Sequence, residues 1–135
     1  MIHFTLEALL QVAERAIDAQ VAVRDHGLLE SAVARPRASV FGEDAYPDLQ
    51  SKAAALLLSI CTNQALVDGN MRLALAATIV MLGINGWTLT FTNDQAYDLI
   101  IDAAAGRTLE VSDVALRLRE GSSPISVISL REQSH

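Results

Sequence analysis

Asp68-Gly69-Asn70-Met71-Arg72 is the one segment of the chain whose residue types are hard to explain as packing. Gly69 permits a left-handed or otherwise strained backbone and lets a ligand come close to the main chain. The first amides of a helix starting here have no intrahelical acceptors and sit at the positive end of its dipole, an arrangement that binds phosphate. Arg72, in the first turn, adds a fork of donors that matches phosphate oxygens. Asp68 offers a carboxylate to a magnesium ion that bridges phosphates. On spacing alone the same residues also describe a plain helix–loop–helix, with Asn70 as N-cap and Asp68 as a solvated turn residue.

Whichever it is, the loop is held by its flanking elements. Asp48 opens a helix predicted over residues 49–66, apolar nearly all round through residues 53–60. Residues 71–84 form a second greasy helix, ended by Asn85-Gly86. Helices apolar on every side belong at the centre of a bundle. Toward the N-terminus, Thr5 caps a helix with Leu6, Leu9, Leu10, Ala13, Ala16 and Ile17 at helical spacing. Asp25 caps a second, with Leu28, Leu29, Ala32 and Val33 as its stripe, and Pro36 marks its end. Residues 38–47, with Phe41, Gly42, Tyr46 and Pro47, carry no period and read as a loop or short hairpin. Beyond the central pair, residues 87–91 read as a short extended stretch. Thr92 or Asn93 starts a helix to Ala105, stopped by Gly106, and Ser112 caps a last one to about Glu120. The expected architecture is all-α, with about six helices and a short flap in one domain over residues 1–120. The tail, residues 121–135, is left open between strand, docking arm and disorder.

A chain of 135 residues can bury a core without staples. At 51% apolar but only 4% aromatic, it suits packed helices better than a strand-rich sandwich. A formal charge of −6, a single lysine at Lys52 and scattered arginines exclude a general nucleic-acid binder. Cys61, the only cysteine, excludes a disulfide framework within one chain and reads as a small core residue. Residues 1–20 mix Glu7, Glu14, Arg15 and Asp18 among their apolar positions, unlike a signal peptide, and runs 53–60 and 73–84 are too short to span a bilayer. The expected setting is cytoplasmic, with neither nucleic acid nor membrane as direct partner.

Gln64-Ala65-Leu66-Val67-Asp68-Gly69-Asn70-Met71-Arg72 resembles the signature of the Fic/Doc family, in which a histidine, an aromatic residue, an acidic residue, Gly-Asn and a final arginine stand at this spacing. Arg24-Asp25-His26-Gly27-Leu28-Leu29-Glu30-Ser31-Ala32, with Ala34-Arg35-Pro36, is similar to the segment before the flap in the family's Doc branch. Tyr46-Pro47-Asp48-Leu49 and Lys52-Ala53-Ala54-Ala55-Leu56 resemble the start of its central helix. Residues 73–78 and Asn85-Gly86-Trp87 are similar to the family's segments C-terminal to the motif, so the likeness covers about residues 6–113. It implies a compact Fic/Doc-type bundle that binds ATP with Mg2+. Gly69, Asn70, Met71 and Arg72 would lie at the nucleotide, Asp68 at the metal, and Gln64, Asp68 and Arg72 at the catalytic positions. Fic proteins are mostly AMP transferases to hydroxyl side chains. The Doc branch, toxins of toxin–antitoxin pairs, transfers the terminal phosphate to elongation factor Tu. The short chain, and Leu75 where the longer Fic motif has a second arginine, favour the Doc branch. No Ser/Thr-x-x-x-Glu-Gly/Asn segment, the inhibitory motif of self-restrained Fic proteins, occurs in the sequence. The resemblance therefore implies a separate, Phd-like antitoxin as partner.

Three motif positions depart from the family. Gln64 stands at the histidine, the general base for the target hydroxyl, and a carboxamide orients a hydroxyl but does not accept its proton. Loss of a positioned base costs on the order of 100- to 10,000-fold in rate. Leu66 replaces an aromatic anchor with another apolar filler, and Met71 replaces the usual Lys or Gly beside the phosphates. The alternative bases are His26 in the 24–27 turn, His3 and His135 near the ends, and Asp68 in the absence of a metal. Two functions compete. One is a Doc-like toxin that moves phosphate or AMP from ATP to a protein hydroxyl and arrests translation. The other is a catalytically impaired relative that binds nucleotide or an antitoxin. The expected partner surface is the second helix with the flap, where Phe41 and Tyr46 either anchor a partner or pin the flap to the core.

Overall fold

The computed structural model describes residues 1–17, 20–105 and 109–125. In chain order the helices are α1 (Leu6–Ala16), α2 (His26–Ala34), α3 (Leu49–Asn63), α4 (Asn70–Ile84), α5 (Asn93–Ala104) and α6 (Val111–Glu120). A 3-10 turn, Arg35–Arg37, extends α2 and holds Pro36 buried. Two small antiparallel pairs complete the fold: β1 (Ser39–Val40) with β2 (Glu43–Asp44) in the flap, and β3 (Trp87–Leu89) with β4 (Ser122–Pro124). The fold is mainly helical, as the sequence predicts.

Local chemistry starts the helices where the sequence places them. Thr5, Asp25, Asp48 and Thr92 each accept a hydrogen bond from the backbone three residues on, which satisfies one of the orphan amides of a first turn. Every residue of α3 from Leu49 to Cys61 is buried, and the helix packs against α2, α4, α5, α6 and the 3-10 turn. Burial on all sides explains its lack of a polar face. Polar side chains that it carries inside are paired. Lys52 Nζ donates to Asp44 Oδ2 (3.1 Å) and to the Tyr46 carbonyl, and Ser59 Oγ accepts from Arg35 Nη1 at 3.0 Å. Cys61 lies in this core, and burial pushes its thiol up to about 11, so it is inert packing.

α6 closes over the start of α3. Arg119 donates to Asp48 Oδ2 at 2.8 Å and to Ser51 Oγ at 3.0 Å. Gly121 then turns the chain, and a side chain there would have to displace the Phe91 ring, which a Cβ would meet at 1.8 Å. Asp48 thus both caps α3 and anchors α6. Burial alone would raise its carboxyl, but hydrogen bonds from Ser51 and from Arg119 hold it below the ordinary aspartate value. A depressed folded value means that Asp48 contributes stability above the unfolded value and loses it as pH falls through the folded one. Asp48→Ala should lower stability by about 1 kcal/mol through the lost cap, with little added by the half-exposed ion pair. Asp48→Asn should flatten the acid limb of an unfolding curve measured across that window.

Two boundaries differ from expectation, and one left open is decided. α3 stops at Asn63 instead of reaching Leu66, because Gln64 takes a left-handed conformation (φ 52°, ψ 51°). Glu110, not Ser112, precedes α6: its backbone N–H bonds to Asp113 Oδ2 at 2.9 Å, and Ser112 lies inside the first turn. The tail begins as strand β4, whose partner β3 forms the extended stretch after α4. Gly106, expected to stop α5, and residues 126–135 lie outside the described residues.

Candidate functional site

The connection between α3 and α4 is clamped from two sides. Ala65 and Leu66 are buried, and residues 22–25 run alongside them as a backbone brace. Arg24 and Asp25 N–H both donate to the Ala65 carbonyl (2.8 and 3.0 Å), Val67 N–H donates to the Ala22 carbonyl (2.9 Å), and Val23 bridges Leu66. The Arg24 guanidinium caps the end of α3, with Nε 3.0 Å from the Gln64 carbonyl and Nη2 donating to the Gln64 and Asn63 carbonyls. A cation at a helix C-terminus faces the negative end of the dipole. Gln64 itself is exposed at this corner.

On the other side, Gly69 is left-handed (φ 89°) and serves as N-cap of α4 without a side-chain cap bond. The approach there is close, because a Cβ on Gly69 would stand 2.5 Å from Cδ1 of Ile17, at the end of α1. Asp68 Oδ1 accepts the Gly69 N–H at 2.8 Å, so that amide is engaged within the loop. The Asn70 carboxamide clamps the loop rather than facing outward: its Oδ1 accepts from Leu66 N–H and its Nδ2 donates to the Leu66 carbonyl, both at 3.0 Å. The first-turn amides of Asn70, Met71 and Arg72 carry the open end of the dipole. Asp68 and Arg72 are exposed beside them, while Met71 is half-buried and packs against the core.

The alternative bases separate. His26 is exposed at the first position of α2, two residues beyond the Arg24 that braces the loop. His3 is at the far end of α4: its neighbour Ile2 exchanges hydrogen bonds with Asn85 at 2.7 and 2.9 Å, which is about 20 Å along the helix from Asn70. Burial, then Arg37, Lys52 and the N-terminus, lower its pKa. His135 lies outside the described residues. The flap rings also part company. Tyr46 Oη accepts from Arg35 Nε at 3.2 Å and so pins the flap, whereas Phe41 is fully exposed at its tip. Between α1 and α4 runs an open groove of about 600 Å³, walled by Ala8, Val12 and Ala16 on one side and Ala76, Val80 and Ile84 on the other.

A braced left-handed corner at the end of one core helix thus leads through residues 65–69 into a glycine-started helix. Residues 3–82 match the Fic/DOC family model. The chain belongs to the Fic/DOC family. A protein named Toxin Doc from Mycolicibacterium smegmatis is 47% identical over 114 residues, covering 83% of this chain and 87% of that protein.

Within this Fic/DOC chain the motif therefore runs from the end of one core helix to the first turn of the next. Position 64 and residues 68–69 lie on the short connection, which the sequence predicts to begin only after Leu66, and Asn70, Met71 and Arg72 open α4. The residues that hold it are the ones that sequence reasoning missed: Arg24 and Ile17 shape the loop from other elements. Arg24 stands in a segment that resembles the family, but nothing local says that it reaches the end of α3.

Proposed function

We propose that this Fic/DOC protein is a Doc-type toxin, an ATP-dependent transferase to a protein hydroxyl whose partner is a cognate antitoxin. The observation that carries this reading is the rigidly clamped, glycine-started α4, without a side-chain cap, in a chain 47% identical to a protein named Toxin Doc. Phosphate oxygens would take the amides of Asn70, Met71 and Arg72, with the Arg72 guanidinium adding a charged contact. Among the described residues no cluster of three or more His, Cys, Asp or Glu could hold a metal. A single carboxylate, Asp68, fits magnesium that arrives on nucleotide phosphates and keeps its waters. Bound there, the ion would neutralise phosphate charge.

In the transfer, the target hydroxyl oxygen bonds to the terminal phosphorus, ADP leaves, and the hydroxyl proton passes to a base. Gln64 positions the hydroxyl without taking that proton. With Asp68 assigned to the metal, His26, two residues beyond the Arg24 that braces the loop, is the alternative base to test. The second reading, a protein that binds nucleotide or antitoxin with little transfer, is favoured by Gln64 and Met71. Elongation factor Tu is the first target to try, and transfer of AMP is the alternative chemistry. A cytoplasmic setting goes with that target; among the described residues no helix is long and apolar enough to cross a membrane.

For the antitoxin we favour the groove between α1 and α4, which suits an amphipathic helix, over the second helix with the flap, where of the two rings Phe41 alone is free. Growth of a bacterial host should stop on induction of the chain and resume when a cognate antitoxin is co-expressed. Val12→Glu with Val80→Glu should abolish rescue while Phe41→Ser preserves it. The opposite pattern would move the partner to the flap, and unhindered growth of the host would favour the binding-only reading.

A further inference from the structure

Among the described residues two non-glycine positions have positive φ, Phe41 and Gln64. Phe41 is the ordinary case: with Gly42 (φ 81°) it forms the two-residue turn between β1 and β2, where left-handed pairs match the twist of a hairpin. Gln64 is different. A left-handed residue at a helix end is ordinarily glycine or asparagine, because a larger side chain crowds the following carbonyl. A glutamine held so must be held by its surroundings, and such outliers gather where a side chain has to be aimed.

Residues 24 and 25 supply those surroundings. The Arg24 fork takes the carbonyls of Gln64 and Asn63, and the backbone of Arg24 and Asp25 takes that of Ala65. Three successive carbonyls are thereby turned toward one short segment, which requires the chain to bend at residue 64. Arg24 is exposed, lies outside any helix and stands 40 positions away in sequence, so its grip on the end of α3 is a long-range contact and no part of a local turn.

We propose that Arg24 is a positioning residue, which holds position 64 left-handed and so aims its side chain at the start of α4. This rests on the reading of position 64 as facing the phosphates. Arginine is the side chain for the task, because its planar fork spans two carbonyls where a lysine ammonium reaches only as a point charge.

The test is a double-mutant cycle combined with kinetics. Gln64→Gly should raise the unfolding midpoint of the wild-type chain by relieving the strain. In the Arg24→Ala protein the same substitution should give little or no rise, because an unbraced Gln64 has already relaxed. In the Gln64→His protein, Arg24→Ala should lower kcat on the order of 100-fold, as a misplaced reacting group does, with KM for Mg-ATP unchanged. Arg24→Lys should restore part of it. Equal gains from Gln64→Gly with and without Arg24 would overturn the proposal, as would a raised KM with kcat intact. If Gln64→His transfers nothing, the activity reading fails alone, and the stability cycle still decides the role of Arg24.

Discussion

Gln64→His should raise transfer from labelled ATP by about 100- to 10,000-fold, the usual contribution of a positioned general base. The substitution is made at an exposed corner, so the fold should accept it, and imidazole has a pKa near the working pH. Met71→Lys should add to the gain. Met71 is half-buried against the core, and a lysine stem can lie along the same surface while its ammonium reaches water beside the phosphates. The double variant should therefore exceed either single one. With γ- and α-labelled ATP offered to cell extract and to purified elongation factor Tu, gain of γ-label supports phosphate transfer and gain of α-label AMP transfer. Absence of both from the double variant would leave the binding-only reading.

Gly69→Ala should be the most damaging small substitution in the site. Its backbone is left-handed, and the new methyl would meet Ile17 Cδ1 at 2.5 Å and Cγ1 at 2.9 Å. The conformational penalty and the overpacking together come to about 2–5 kcal/mol, read as a lowered urea midpoint. Ile17→Ala opens the space but leaves the φ angle as it is. Combined with Gly69→Ala it should cost less than the two single changes added together, since neighbours in contact do not act independently. Strict additivity would show that Ile17 does not shape the loop.

What the sequence revealed and what it hid divide by range. Thr5, Asp25, Asp48 and Thr92 were legible as caps because a cap bonds within its own first turn. The central helices were legible from apolar residues on all faces, and Gly69 from its place between them. Ser112 misled because a serine is the commoner cap, while Glu110 and Asp113 form the box that starts α6. The end of α3 was hidden for a different reason: helical propensity runs on through Ala65 and Leu66, and the bend is imposed by Arg24 across 40 positions. The same holds for Ile17 over Gly69, for the Tyr46 hydroxyl on Arg35, and for the pairing of β4 with β3. Asn70 read equally as a cap or a ligand contact. Its carboxamide instead closes the loop on Leu66, a use that spacing alone does not distinguish.

That the start of α4 holds nucleotide phosphates is tested most directly by calorimetric titration of Mg-ATP into the wild type and Arg72→Ala. A charge-assisted hydrogen bond lost from the phosphate should weaken binding by roughly 10- to 150-fold, with the Arg72→Ala fold unchanged because Arg72 is exposed. Saturable heat for the wild type, and a much weaker isotherm for the variant, is the predicted result. No binding to either protein at millimolar nucleotide, or equal binding to both, would contradict it.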